Sequence, residues 1–175
     1  MRMISTSIQL KTIIFSWFSF LVLFLVLSSS IACKDIESIQ AQQQEQNQTA
    51  LVSVGSVNLL ASLATTPESQ SKGLAVKDSL SENEGMLFIF ESPQKYSFWM
   101  KDMKFPIDII WINSAGKIVH IEKNLSPCVL FLPCPSYAPS DDSLYVLEVV
   151  SNFTNKFDIN IGETINSKVI KQSQG

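Results

Sequence analysis

Residues 107–122 read IDIIWINSAGKIVHIE, and this stretch decides the fold. Two runs rich in Ile, Val and Trp flank Asn113-Ser114-Ala115-Gly116. β-Branched and aromatic residues suit a pleated, half-buried surface, while Asn and Gly tolerate the backbone angles of a tight turn. The pattern therefore predicts a hairpin with strands over 107–112 and 117–122. Ile109, Trp111, Ile118 and Ile121 supply its apolar contacts.

The same signals extend outward. Upstream, Val52, Val54, Val57, Leu59, Ala61 and Leu63 read as strand. Thr66-Pro67-Glu68 marks a helix start, with Thr66 as cap and Pro67 in the first position. Gly73 closes that helix as a left-handed stop before it completes two turns. MLFIF at 86–90 is a buried run, and 96–100 reads as a second, aromatic strand. Downstream, 124–143 is a proline-bearing loop, 144–150 a strand, 152–157 a turn or two of helix, and 164–170 a last strand. A parallel α/β fold needs a long crossover, usually helical, between strands, and no helical run of ten residues is present. The expected fold is mainly β (α+β): an antiparallel β sandwich or open barrel with two short helices.

The N-terminal third has a different character. Residues 1–32 contain Arg2 and Lys11 and no other charge. TIIFSWFSFLVLFLVL (12–27) is followed by Ser28-Ser29-Ser30-Ile31-Ala32 and then Cys33. A basic start, an apolar core and small residues form the order of a signal peptide, and the apolar run also has the length of an N-terminal membrane anchor. Both readings stay open, and both send the rest of the chain outward, because Arg2 and Lys11 precede the run. Cys33, directly after a small residue, resembles a lipoprotein processing site and is the lipidation candidate, although Ser30 stands where that pattern prefers Leu. Residues 33–50 are rich in Gln, with no aromatic side chain, and read as a flexible tether. A single domain then spans 51–175.

Charge narrows the partners. The chain carries 13 Lys plus Arg and 16 Asp plus Glu, so removing Arg2 and Lys11 leaves 11 cations against 16 acids. An acidic domain without a basic cluster argues against nucleic acid as a partner. One His and three Cys leave too few soft ligands for a zinc site, so no metal or other cofactor is expected.

GLAVKDSLSENEGMLFIF (73–90), KYSFWMKDMKFPIDIIWINSAGKIVHI (95–121), CVLFLPCPSY (128–137) and YVLEVVSNF (145–153) occur in that order. Together they resemble the small prokaryotic family named domain of unknown function 192. The similarity covers roughly 52–170, and the Phe-Trp-Met-Lys segment with its following Pro-x-Asp is its most specific part. The resemblance implies a compact, β-rich, often exported domain and no particular reaction. Two departures stand out: Ala75, Val76 and Lys77 occupy a stretch where the family favours Met and a nearby Arg, and Asp102 replaces the usual Asn.

Candidate site residues follow from chemistry placed in apolar runs. Cys128 and Cys134 sit in the proline-rich loop, and export favours their oxidation to a disulfide. Alternation puts Trp99 and Lys101 on one face of their strand and Met100 on the other. Lys101 with Asp102 or Asp108 reads either as a structural ion pair or as part of a polar pocket. Trp99 or Tyr137 is the stacking wall of such a pocket. Glu148 lies among Val146, Leu147, Val149 and Val150, where a carboxylate needs a partner or an exposed edge. His120 has no nucleophile or acid in motif context. The sequons at Asn47, Asn124 and Asn152 matter only in a host that glycosylates exported proteins.

The leading expectation is a membrane-tethered, extracytoplasmic domain that binds a small polar ligand or an envelope component without catalysis. The first alternative is a carboxylate-dependent glycan hydrolase, with Asp108 and Glu148 as acid and base in one cleft. The second is a structural envelope module acting through contacts with an envelope protein.

Overall fold

The computed structural model describes residues 48–128 and 133–170, with backbone alone at 169 and 170. The export segment, Cys33, the tether up to residue 47 and the Asn47 sequon lie outside the described residues. Among the described residues, nine strands and two short helices follow one another. They are β1 (Thr49–Val54), β2 (Val57–Ala64), α1 (Pro67–Lys72), β3 (Glu84–Gln94), β4 (Phe98–Trp99), β5 (Ile107–Ile112), β6 (Ile118–Leu125), β7 (Ser136–Tyr137), β8 (Ser143–Val150), α2 (Phe153–Lys156) and β9 (Ile165–Ile170). A 3₁₀ turn over Gly73–Val76 follows α1 directly.

Seven strands form one sheet in the order β6-β5-β8-β3-β2-β1-β9, and β4 and β7 form a separate small ladder. The fold is mainly β, a curled half-barrel, as the strand pattern predicts. The hairpin over 107–122 forms β5 and β6 around its Asn-Ser-Ala-Gly turn. Asn113 shapes that turn by accepting from the backbone N–H of Ala115 and Lys117. The curl brings the two edge strands together at one end. Lys117 bridges Thr164, and Ile118 donates its N–H to the Glu163 carbonyl at 2.9 Å.

Four expectations need correction. The apolar alternation over 52–63 is not one strand but the β1–β2 hairpin, turned at Gly55, whose φ of +57° disfavours any side chain. β1 also begins at Thr49, two residues inside the expected tether. The second aromatic strand shrinks to the two residues of β4, paired with β7. Finally, β2 and β3 run parallel in a sheet otherwise paired antiparallel. Their connection needs no long helix. It consists of α1, the 3₁₀ turn and a loop, and it lies on the sheet through Leu74, Leu80 and a Gln70 amide that donates to the Ile89 carbonyl at 2.9 Å.

The pleat sorts side chains to two faces, and both are covered. On the inner face, Val52, Leu59, Leu87, Ile110, Leu147 and Ile165 meet Phe153 of α2. On the outer face, Phe88, Ile109, Trp111 and Val146 meet Leu74, Leu80 and Met100 from the crossover and the β4–β5 region. Coverage on both sides explains why all six residues of β5 are buried. A two-sided core is also why IDIIWI carries no polar alternation beyond Asp108.

Candidate functional site

The crossover does not seal the outer face. Between α1, β3 and the β4 region lies a cavity of about 410 Å³, whose floor includes Glu148. Five aromatic side chains stand among its walls: Phe88, Phe90, Tyr96, Phe98 and Trp99. They are arranged rather than merely gathered. Phe98 meets Phe88 edge-on at 4.9 Å and Trp111 edge-on at 5.9 Å, while Phe90 and Tyr96 stack at 3.5 Å. Trp111 is held from below, its indole N–H donating to the Tyr96 carbonyl at 2.8 Å.

Glu148 reaches this floor because of register. It faces Met86 across β3 and Ile109 across β5, so its side chain stands on the outer face between two apolar neighbours. The residue is 5% exposed. One hydrogen bond reaches its carboxyl group, from the Leu74 backbone N–H. Its Oε2 has no hydrogen-bond partner among the described residues. Burial disfavours the charged form and pushes the carboxyl pKa up to about 8, against a smaller opposing pull from the Leu74 N–H. At neutral pH the group is therefore mainly a neutral acid.

Gly73 shapes the approach to this carboxyl. Its φ of +50° with ψ of −148° lies outside the left-handed helical basin expected of a helix stop and belongs to a region reserved for glycine. A Cβ at Gly73 would stand 3.5 Å from the Phe88 ring and 3.8 Å from Glu148 Oε2. The absent side chain thus leaves open space beside both. Ahead of Gly73, α1 is fixed by a capping box, with Thr66 and Ser69 bonded reciprocally, as the Thr-Pro start predicts.

Three of the five expected ligand-binding residues line the cavity: Trp99, Lys101 and Glu148. Trp99 is 59% exposed, Met100 is fully buried, and the Lys101 ammonium stands 5.7 Å from the centre of the Trp99 ring. The alternation over 99–101 is as expected. Lys101 makes no ion pair with Asp102 or Asp108. Tyr137 does not line the cavity; it pairs with Phe98 across the small ladder and packs on the outer-face core.

Asp108 is a different kind of residue. It belongs to the face opposite Glu148, because it pairs with Val149 rather than Glu148 across β8. Fully buried, its carboxylate accepts from the backbone N–H of Asn124, Asn152 and Thr154 and from the Thr154 hydroxyl, at 2.6–3.1 Å. These bonds join β5 to the end of β6 and to α2, and they hold Asn124 and Asn152 at positive φ. The side chain is a structural clasp, not a wall of the cavity. Asp108 and Glu148 therefore cannot act as acid and base in one cleft, and the glycan-hydrolase expectation fails on this geometry.

Cys128 and Cys134 are joined by a disulfide, as expected. Asp102 has a φ of +60°, a left-handed conformation that Asn and Asp adopt more readily than most residues. His120 packs on Trp111 and reaches Glu122 at 3.1 Å. No group of three or more His, Cys, Asp or Glu gathers among the described residues.

Sequence reasoning missed the wall formed by Phe88, Phe90, Tyr96 and Phe98 and the role of the Gly73–Leu74 backbone. A signal was present: Phe88 and Phe90 share one face of β3 at a spacing of two.

Residues 49–167 match domain of unknown function 192, described as Uncharacterized ACR. The chain belongs to this family. Two solved structures resemble it. A Sinorhizobium meliloti 1021 protein, proposed to be a transcription regulator, is 24% identical with a TM-score of 0.61, covering 69% of this chain and 92% of that one. A Novosphingobium aromaticivorans DSM 12444 protein of unknown function is 26% identical with a TM-score of 0.59, covering 67% and 83%. The first likeness concerns the fold alone. No curated protein matches the chain.

Proposed function

We propose that this DUF192 domain binds a small polar ligand or envelope component in the aromatic cavity, and that its N-terminal segment tethers it to the outer side of a cell membrane. One observation carries the binding reading. Glu148 is buried at the cavity floor with an oxygen that has no hydrogen-bond partner among the described residues. An unsatisfied buried carboxyl is costly, and a folded domain rarely keeps one without use. Aromatic walls around a few polar groups match the usual make-up of a ligand site. The tether rests on the order of charges, apolar run, small residues and Cys33 in the sequence.

The test is a thermal-shift screen of the full chain in detergent against metals, sugars, nucleotides, small acids and amines. A ligand at about 100 times its Kd adds roughly 2.7 kcal/mol, or several degrees. Hits abolished by Glu148→Gln and weakened by Trp99→Ala support the reading. A flat screen, or hits indifferent to both changes, would sink it. For the tether, fractionation and mass spectrometry of the N-terminus suffice; recovery of the intact chain in the soluble cytoplasmic fraction contradicts it.

A further inference from the structure

One wall of the cavity stands apart from the main sheet. β4 brings Phe98 and Trp99 to the cavity, and its ladder partner is β7 rather than any of the seven strands. Phe98 is also held by its edge-on contacts with Phe88 and Trp111. Trp99 is exposed and leans on its pairing with Ser136 and on the Lys101 ammonium. A two-residue ladder is too short to hold by itself. Neither Ser136 nor Tyr137 lines the cavity, so β7 serves the site through the support it gives β4. Tyr137 rests on the outer-face core, whereas Ser136, opposite Trp99, is exposed.

The disulfide completes that support. Cys128 packs on the outer-face core and donates its N–H to the carbonyl of Met100, directly after β4, at 3.1 Å. Cys134 lies just ahead of Ser136. A ring results: Met100 to Cys128 by a hydrogen bond, Cys128 to Cys134 by the sulfurs, and Ser136 to Trp99 by the ladder. With the bond in place, Ser136 sits two residues from an anchored cysteine, about 7 Å of chain at most; without it the path from Cys128 runs eight residues and about 28 Å. The freedom gained opposes re-forming so short a ladder.

Resting on the binding reading above, we propose that the Cys128–Cys134 disulfide is a redox brace of the ligand site: it positions Trp99 as a wall of the cavity, and its reduction by a dithiol releases that wall and weakens binding. Both cysteines are half-buried, within reach of a second thiol. A thiolate of the dithiol attacks one sulfur and expels the other cysteine as a thiolate. The dithiol's second sulfur then attacks the mixed disulfide and frees the remaining cysteine. Two electrons pass to Cys128 and Cys134, the two protons of the dithiol end on their sulfurs, and the dithiol leaves as a disulfide.

Hydrogen exchange read by mass spectrometry, on the full chain in detergent, would compare oxidised protein, protein reduced with dithiothreitol, and the Cys128→Ser, Cys134→Ser variant. Oxidised protein in enough urea to remove the same global stability shows what general destabilisation does. Amides of 98–101 and 136–137 are expected to exchange about tenfold or more faster in the reduced and variant samples than in the urea sample, while β5 and β8 match it. With the strongest hit of the thermal-shift screen, calorimetry should show affinity falling about tenfold on reduction, because a loosened wall must be ordered again on binding. In Trp99→Ala, reduction should lower affinity no further. Unchanged exchange at β4 and β7 on reduction would overturn the brace, as would a rise no larger than in urea. A hit that binds both redox forms equally, or that still loses affinity on reduction in Trp99→Ala, overturns the proposal and leaves the binding reading standing. A flat screen removes the binding reading and the effect on affinity with it; exchange alone then decides the brace.

Discussion

Glu148→Gln should make the protein more stable, and the gain should depend on pH. The carboxyl titrates at its ordinary 4.5 when the chain is unfolded and at about 8 when it is folded. Below 4.5 both states hold the proton, and the group carries no penalty. As pH rises above 4.5 the unfolded chain loses its proton while the folded one keeps it, so stability falls. The fall ends near pH 8, where the folded group ionises as well. At pH 7 the chain is 2.5 units above the unfolded value, and at about 1.4 kcal/mol per unit the loss is about 3 kcal/mol. An amide at this position cannot ionise and retains one acceptor for the Leu74 N–H. Urea denaturation of both proteins at half-unit steps from pH 4.5 to 8, with the disulfide intact, provides the measurement. The curves should nearly meet at pH 4.5 and separate by about 3 kcal/mol at pH 7, the wild type being the less stable. If the two curves run parallel across this range, Glu148 does not enter the folded state as a buried neutral acid. If the wild type gains on the variant as pH rises, the group is charged and partnered. Either result would refute the reasoning.

Asp108→Asn should be strongly destabilising, by about 3 kcal/mol in the same assay, because one amide oxygen cannot replace two acceptor oxygens and its NH₂ would face buried donors. Gly73→Ala should cost about 1–3 kcal/mol for its backbone angles and should lower the response to any cavity ligand by more than the stability loss predicts, as read by calorimetry. Replacing Cys128 and Cys134 with Ser should cost about 2 kcal/mol, since the loop they close is short; denaturation with and without reductant checks this, and reductant should leave the variant unmoved.

The hairpin at 107–122 was legible because its residues carry their own instructions: β-branched runs and a turn that only a few residue types form. The capped start of α1 was legible for the same reason. The parallel pairing of β2 and β3 was not, because nothing local distinguishes a strand that returns antiparallel from one that crosses over through a six-residue helix. The site shows the same divide. Glu148 stood out as an acid among valines, yet its neighbours depend on register, which sequence periodicity leaves open. Asp108, expected beside Lys101 or as a second acid in one cleft, proved to be its opposite, a carboxylate with four donors on the other face. Chemical type was readable at both positions; what the rest of the chain supplies to each was not. Lys101 and Trp99 were placed correctly by alternation, whereas Tyr137 was set apart by a two-residue ladder too short to leave a pattern.

The place of β1 in the sheet has a consequence for timing. It lies between β2 and β9, with Thr49 opposite Ile170, so one of its two ladders needs residues more than a hundred positions later. A chain emerging from its N-terminus can close the β1–β2 hairpin early but cannot finish the sheet until its last strand has appeared. Partners so distant in sequence also slow the search itself. For the export proposed above, such delay is an asset: the domain stays threadable while it is being moved and acquires its cavity after arrival.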